Sequence, residues 1–505
     1  IMMNEKIGIF GDYDVDGATS SALLSRFFRA TNGQSIIYIP DRVKEGYGPN
    51  VPALLGLKKL GVSVIVTVDC GTLAVDTLKI ATDAGLDIVV VDHHAAEPKI
   101  PSVSAVVNPN RLDDESNLGE LAAVGVCFLL VVAVNRVLRQ AGWYKSRVEP
   151  DLMQWLDIVA LGTICDVVPL KGLNRALVFQ GLRVLSNQRN LGLKALSQII
   201  ELDEMPNSYH LGYLLGPRIN AGGRVGAPDL GARLLSTEDF GEATEIAFRL
   251  EEYNSERKLI EERVLQEAVE QVIEKKINSS CVLAVGNDWH PGVIGIVASR
   301  LRERFNRPAF VISINEEIRV GIGSSRSVAG FDIGAKVISA RQLGLLESGG
   351  GHKMAAGFKI TEEKIDGFRQ FLDDKLGEGT DLPQIKPEIE IEGSVSAHGI
   401  NNQLISEIEQ LGPFGAGNPE PIFVVPNAHL GYANVVGESH IRVGIKKDGG
   451  GELAGIVFRA VGTPQGDVIL KNLGDRFHVA GRLRINRWRG RETPQIQIED
   501  LALAE

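Results

Sequence analysis

Lys6-Ile7-Gly8-Ile9-Phe10-Gly11-Asp12-Tyr13-Asp14-Val15-Asp16-Gly17 decides the reading of the fold. An apolar run that suits a buried strand ends in a glycine, three carboxylates crowd the next turn, and a helix-like segment, 18–29, starts at once. Three acids in one turn repel one another unless a cation neutralises them, so the turn predicts a divalent-metal site at a strand end. An EF-hand shares the opening D-x-D-x-D-G, but its twelfth loop position would be Leu23 rather than Glu, and a strand precedes the loop where an EF-hand has a helix.

The same alternation continues outward. Apolar runs at 36–39, 62–68, 88–91 and 105–107 alternate with helix-like 51–60 and 73–84, the rhythm of a doubly wound parallel α/β sheet. Helices are predicted over 125–140, 152–162, 175–185 and 193–200, followed by a Gly-rich loop over 215–226. No Gly or Pro falls between Glu242 and Ile277, and Ile246, Leu250, Tyr253, Ile260, Val264, Ala268 and Val272 recur at helical spacing, which predicts one long connecting helix. A second α/β unit follows, with strands near 281–285, 309–314, 319–323 and 355–360, then a Gly- and Pro-containing linker at 377–387. Five or six short strands between 388 and 501 suit a small barrel of the OB type. The expected domains are a parallel-sheet domain (1–235), a connecting helix (236–280), a second α/β domain (281–380) and the barrel (381–505).

At 505 residues, 44% hydrophobic and 23% charged, the chain exceeds one hydrophobic core and has ordinary globular composition. Its longest nearly uninterrupted apolar run, 121–134, is shorter than the ~20 residues of a membrane span and suits a core helix. Ile1-Met2-Met3-Asn4-Glu5-Lys6 leads into a strand-like run without an apolar leader, so no signal peptide is expected. Cys70, Cys127, Cys165 and Cys281 form no CxxC pair, as for scattered thiols in a reducing compartment, and a cytoplasmic location is expected. The net charge of −11 disfavours wholesale coating of nucleic acid, so local basic patches must carry such binding; clustered metal-binding carboxylates account for part of the acidity.

Two more strands end as the first does. The run 62–68 ends in Asp69, and 88–91 ends in Asp92-His93-His94, so three strands deliver acids or imidazoles from their carboxyl ends, the edge where open α/β sheets bind ligands. Oxygen donors with one or two imidazoles suit Mn2+ or Mg2+ rather than sulfur-rich structural zinc. Alone, a strand-end Asp is usually a cap and a His pair usually surface or core; the coincidence of three such ends points to metal.

Asp92-His93-His94 after a strand, preceded by the Asp-rich turn and the isolated Asp69, resembles the DHH phosphoesterase superfamily. Residues 11–20, 160–169 (ALGTICDVVP), 216–224 (GPRINAGGR), 324–327 (SSRS), 349–352 (GGGH) and 413–419 (PFGAGNP) resemble its RecJ branch of single-strand-specific 5′ exonucleases, and the likeness spans nearly the whole chain. The resemblance implies two divalent cations, Mn2+ or Mg2+, held by Asp14, Asp16, Asp69, His93 and Asp166, with Asp12 and His94 close by and Asp69 as the bridge. Asp14, Asp16, Asp69, His93, His94 and Asp166 form the implied catalytic set, His94 bonding a phosphate oxygen or assisting proton transfer. Asp157 competes with Asp166 but sits among Trp155, Leu156, Ile158 and Val159 in a predicted helix, whereas Asp166 follows the Gly162-Thr163 break. Hydrolysis of single-stranded DNA from 5′ to 3′, in DNA repair and recombination, is implied, with a single-strand-binding protein and a helicase as partners of a monomeric chain. Two features depart from the pattern: Phe10 stands where many small-molecule members have a His, and RecJ proteins usually carry more chain before the first motif.

Orienting a charged substrate needs cations separate from the metals. Arg42, Arg218, Arg224 and Arg326 are candidates, with Asn220 among them; Ser325 and Ser327 flank Arg326 with hydroxyls, and the backbone leading through Gly350 and Gly351 to His352 can form a phosphate nest. By resemblance, 324–327 and 349–352 face the metals. In the last domain Arg482, Arg484, Arg487, Trp488, Arg489 and Arg491 crowd one stretch; Arg487, Trp488 and Arg489 are the expected strand-binding residues, because bases stack on aromatics while Arg tracks phosphate. Two rival readings remain in view. An enzyme for short oligonucleotides or cyclic dinucleotides needs no separate barrel, and a non-catalytic replication factor would have lost metal ligands, none of which is missing.

Overall fold

The computed structural model describes residues 1–42, 44–274, 281–377, 388–488 and 491–504. The chain divides into two compact units, Ile1–Val168 with Ala176–Gln384 and Pro169–Arg175 with Ile385–Glu505. From residue 378 onward the expected linker lies outside the described residues.

The first unit opens with a parallel sheet of β1 (Lys6–Gly11), β2 (Gln34–Tyr38), β3 (Val64–Val68), β4 (Asp87–Val91) and β5 (Ala105–Val107), ordered β2-β1-β3-β4-β5. That order reverses chain direction across the sheet beside β1, and the crevice at such a switch point lies at the strands' carboxyl ends. β1 and β3 are buried on both faces, which is why they read as unbroken apolar runs. Leu54 and Leu57 of α2 (Val51–Lys59) and Leu78 of α3 (Val75–Asp83) share a core with Phe10, Ile65 and Ile88. A second group, α1 (Val15–Ala30), α4 (Ala123–Gln140) and α5 (Leu156–Cys165), packs together beside the sheet. By length and composition α4 is apolar enough to cross a membrane, but half of it is buried inside the unit, as in a core helix.

Next come α6 (Gly172–Leu185), α7 (Leu191–Ile199), α8 (Gly216–Val225), α9 (Leu230–Ser236) and the 35-residue α10 (Phe240–Glu274). The expected Gly-rich loop over 215–226 is instead helical: a π turn, His210–Leu215, runs into α8. Its glycines serve close packing rather than a turn, since a Cβ on Gly223 would lie 2.4 Å from the Tyr13 carbonyl oxygen. Ile246 and Leu250 of α10 are buried in its first half, while Val264, Ala268, Val269 and Val272 enter the core of the second α/β domain.

That domain's sheet comprises β6 (Val282–Asn287), β7 (Ala309–Asn315), β8 (Val320–Arg326), β9 (Ser348–His352) and β10 (Ala355–Thr361), ordered β6-β7-β8-β10-β9, with helices α11 (Pro291–Phe305), α12 (Ile333–Gln342) and α13 (Ile365–Gly377). Residues 349–352 are therefore an edge strand and not a loop nest: extended backbone there pairs with β10, Gly350 opposite Gly357 and His352 opposite Ala355.

In the second unit a short β11 (Gly393–Ser394) precedes β12 (Phe423–Val436), β13 (His440–Lys446), β14 (Glu452–Val457), β15 (Arg476–Trp488) and β16 (Arg491–Leu503). The order β12-β13-β14-β16-β15 closes through a β12–β15 pairing, the connectivity of an OB barrel. Closure leaves few strand edges, and the inward residues Ile441, Val443, Ile445, Leu453, Phe477, Val479 and Ile496 form its core. Helices α14 (Asn402–Glu409) and α15 (Pro464–Lys471) accompany the barrel. The Leu170 amide donates to the Ala416 carbonyl at 2.7 Å, tying 169–175 to the 413–419 segment.

Candidate active site

Four chain segments deliver carboxylates to the carboxyl edge of the first sheet. Asp12 follows β1 directly, and Asp14 caps α1 by accepting from the Gly17 amide at 3.0 Å. A Cβ on Gly17 would lie 2.3 Å from the Asp12 carbonyl oxygen, so only glycine lets α1 begin this close to the strand end. Asp16, in the first turn of α1, accepts from the Ala123 and Val124 amides at 2.6 and 2.9 Å, which places it on the positive N-terminus of α4. Asp69 follows β3 in a left-handed conformation (φ 60°) that aspartate tolerates better than most residues, with its amide bonded to the Val91 carbonyl at 3.0 Å. Asp166 caps the end of α5.

These residues converge with the two histidines. Ligand atoms of Asp12, Asp14 and Asp69, of Asp16, His93 and Asp166, and of Asp69, His93 and His94 form three groups, each within 4.8 Å throughout. Asp69 and His93 each belong to two of them. His93 Nδ1 lies 3.1 Å from the Leu121 carbonyl; with its proton donated there, Nε2 is left as a lone pair 3.3 Å from Asp69 and 3.9 Å from Asp16. Burial, then the neighbouring His94, lowers the His93 pKa and favours that neutral ring. Burial, then the charges of neighbouring acids, pushes Asp16 up to about 7 and Asp166 up to about 9, and holds Asp12 and Asp69 well above the usual range. Asp12 Oδ1 is buried without a hydrogen-bond partner among the described residues. An orphaned carboxylate oxygen amid mutually repelling acids fits a bound divalent cation, whose charge would let all of them ionise.

Asp92, to which the sequence reading assigned no role, supports this cluster. Its Oδ1 lies 2.8 Å from His94 Nδ1 and accepts from the His93 amide, while Oδ2 accepts from the Thr72 amide at 3.0 Å. Burial works against the Asp92 charge, yet its bonds with His94 and Thr72 hold it below the usual range; burial of His94 is likewise outweighed by Asp92, which raises the imidazole pKa. Asn108 and Asn110 donate to the His94 and His93 carbonyls at 2.9 and 2.5 Å. The Tyr47 hydroxyl lies 3.3 Å from the Asp69 carbonyl and 3.4 Å from His94. An Asn just past a strand end was the available signal; Tyr47, distant in sequence from every motif, offered none.

Beside the acids, guanidinium groups gather without carboxylate partners among the described residues. Arg42 lies over the Tyr13 ring, 5.0 Å from its centroid. Arg224 donates to the Gly292 carbonyl at 2.9 Å, and burial, then the charges of Arg42 and Arg257, lowers its pKa to about 10. Arg326 ends β8, with Nη1 2.9 Å from the Ser325 carbonyl and 3.3 Å from Ser324 Oγ; burial, then Arg42 and Arg302, lowers its pKa. Partly buried cations that repel one another form an anion site in waiting. His352 shares a row with Arg326 across β10, on the same pleat face.

Three expected phosphate ligands are otherwise engaged. Arg218 pairs with Glu251 of α10 and donates to the Leu214 carbonyl, which makes it a helix-to-helix tie. Ser325 donates to the Ala356 carbonyl at 3.1 Å and Ser327 to the Phe331 carbonyl at 2.7 Å, both fully buried. Strand alternation turns Ser325 inward and leaves Ser324 beside Arg326. Asn220 is half-buried on α8 with no side-chain hydrogen bond among the described residues. In the barrel, Arg487 pairs with Glu492 at 3.0 Å, Trp488 ends β15, and Arg489 lies outside the described residues.

Known proteins share this arrangement. A family model described as the DHH family, N-terminal domain, matches residues 6–163, the DHHA1 domain matches 278–378, and the RecJ OB domain matches 391–500. The single-stranded-DNA-specific exonuclease RecJ of Bacillus subtilis (strain 168) is 36% identical over 100% of this chain and 62% of its own length. The protein of the same name from Escherichia coli (strain K12) is 34% identical, covering 98% of this chain and 87% of its own. Among solved structures, RecJ in complex with Mn2+ from Thermus thermophilus superposes with a TM-score of 0.82 at 29% identity, covering 100% of this chain and 70% of the other. The chain thus spans less than two thirds of the Bacillus relative's length.

Proposed function

The chain belongs to the RecJ family of DHH-domain exonucleases, and on that premise we propose that it is a metal-dependent exonuclease that degrades single-stranded DNA from the 5′ end in the cytoplasm. One observation carries the reading: three overlapping donor groups, sharing Asp69 and His93, stand beside the guanidinium groups of Arg42, Arg224 and Arg326.

Asp12, Asp14, Asp16, Asp69, His93 and Asp166 would hold Mn2+ or Mg2+, the ions with which RecJ structures have been solved, with His94 beside them. Bound there, such cations supply Lewis acidity and a hydroxide-like nucleophile at neutral pH. The protein's own groups do the rest. Arg42, Arg224 and Arg326, with Ser324, bind phosphate and set which bond lies over the acids, by the fixed geometry of planar donors. Asp92 keeps the His94 imidazole oriented and raises its pKa, so that the ring can hold a proton for a phosphate or leaving oxygen. The barrel holds the strand rather than cutting it, through Arg487, Trp488 and Arg489. The cytoplasmic setting is supported by four cysteines in thiol form. A single-strand-binding protein and a helicase as partners, a monomeric state and a role in DNA repair and recombination rest on the resemblance.

The test is purified chain with Mn2+ or Mg2+ and single strands labelled at either end, with duplex and RNA controls. Nucleotides released from the 5′ end of single-stranded DNA are expected; internal cleavage, or 3′-end release, overturns the reading.

A further inference from the structure

Resting on the metal-site reading above, we infer that the segment Pro413-Phe414-Gly415-Ala416-Gly417-Asn418-Pro419 is a positioning clip for Asp166, holding the turn that keeps this carboxylate beside Asp16 and His93. Asp166 caps the end of α5, and at Pro169 the chain passes into the second unit. Between them stands Val167, at φ 60° and 70% exposed. A β-branched residue in the left-handed region is an outlier that persists only where its surroundings over-determine it. Val167 buries too little of its own side chain to supply that, so the constraint comes from the chain on either side.

Both sides are fixed. Toward α5, the Asp166 amide donates to the Gly162 carbonyl at 2.9 Å and the Val167 amide to the Ile164 carbonyl at 3.2 Å. Beyond the turn, the buried Leu170 donates its amide to the Ala416 carbonyl at 2.7 Å, and Arg175 Nη2 donates to the Leu411 carbonyl at 2.6 Å. The segment is shaped for this contact. Gly415 and Asn418 exchange backbone hydrogen bonds at 3.0 and 3.2 Å, Asn418 Nδ2 donates to the Leu411 and Pro413 carbonyls at 3.1 and 2.9 Å, and Phe414 packs on the barrel core. Gly417 sits at φ 69°, and a Cβ there would lie 3.0 Å from Pro169 Cβ; one on Gly415 would lie 2.8 Å from Leu170 Cδ1. The glycines let the segment close on 169–170, where side chains would push it away.

The bodies of the flanking helices do not depend on this clip. A Cβ on Gly181 of α6 would lie 2.2 Å from the Leu156 carbonyl oxygen, so α5 and α6 pack closely by themselves. What the clip decides is the turn 167–171. Released at its far end, that turn sheds the strain at Val167 most cheaply by fraying the last turn of α5, whose carbonyl bonds are few. Asp166 is on that turn, with Oδ2 3.7 Å from His93 Nδ1, and it is the member of its donor group that no strand end holds.

The experiment titrates Mn2+ into the full chain and follows free and bound ion by electron paramagnetic resonance, with Asp166→Ala as the reference for loss of that donor. Gly417→Ala combined with Asn418→Ala is expected to weaken the ion that Asp166→Ala weakens, by roughly ten- to a hundred-fold, with an unchanged circular dichroism spectrum. Arg175→Ala removes hydrogen bonds and crowds nothing; it is expected to weaken the same ion by about two- to ten-fold, and it carries the test if the paired variant does not fold. Val167→Gly, added to either, is expected to restore most of the lost affinity, because glycine takes the left-handed conformation without strain, whereas a general loosening of the fold would not respond to it. Unchanged Mn2+ affinity in the folded variants, or a loss that Val167→Gly leaves in place, overturns the clip while the metal site stands. A parent chain that binds no Mn2+ sinks the metal reading itself, and this inference with it.

Discussion

Replacing Arg326 by alanine tests whether the guanidinium cluster reads the strand's terminal phosphate. The Arg326 guanidinium is largely buried, hydrogen-bonds to Ser324 Oγ and the Ser325 carbonyl, and is repelled by Arg42 and Arg302, so it gains most when an anion arrives. A hydrogen bond to a charged group contributes about 1.5–3 kcal/mol, or roughly 10- to 150-fold. Because Arg42 and Arg224 would remain, the lower part of that range is expected: about 10- to 50-fold in kcat/KM on 5′-phosphorylated strands. On 5′-hydroxyl strands the loss should be about two-fold or less, since the partner that Arg326 serves is then missing. Arg326→Lys keeps the charge but not the planar fork and should recover only part of the difference. The assay compares initial rates on matched strands with and without the 5′-phosphate for the three proteins. Equal slowing of both substrates by Arg326→Ala would place the residue on an internal phosphate and refute end recognition.

Asp69→Ala should leave the circular dichroism spectrum intact while lowering hydrolysis at saturating Mn2+ by at least about a thousand-fold, because two donor groups lose a member at once. Without metal, Asp16 at about 7 and Asp166 at about 9 hold protons in the fold that an unfolded aspartate, near 3.8, releases. Metal-free stability is therefore full below about pH 4 and declines as pH rises through 7 and 9; thermal melts should shift down on the order of 5 °C between pH 5 and 9, and Mg2+ or Mn2+ should flatten the trend. A metal-free melting temperature that rises over that range would contradict the buried-acid account. Asp92→Asn removes the partner that raises the His94 pKa, so kcat should fall about ten- to a hundred-fold and the His94 limb of the pH–rate profile should move to lower pH; an unmoved limb would show that His94 does not titrate in the rate.

How much of this was legible before folding follows from the range of each interaction. Strand, turn and helix around Asp12, Asp14 and Asp16 are local, and period and composition determine them; the same holds for the strand ends at Asp69 and His93, and for the long α10, unbroken by Gly or Pro. Apolar alternation likewise sufficed for the strands of the barrel. Only the tertiary structure decided the rest. Residues 215–226 are helical because α8 packs against Tyr13 and α10, overriding the turn tendency of glycine. Which serine of the 324–327 segment reaches Arg326 depends on which face of β8 is buried, and a period of two cannot choose between faces without knowing the core. Arg218 is spent on Glu251, thirty-three residues away, while Arg42, Arg224 and Arg326, equally basic in sequence, are left facing one another. A residue type states what a side chain can bind; whether a partner is already there is a property of the fold.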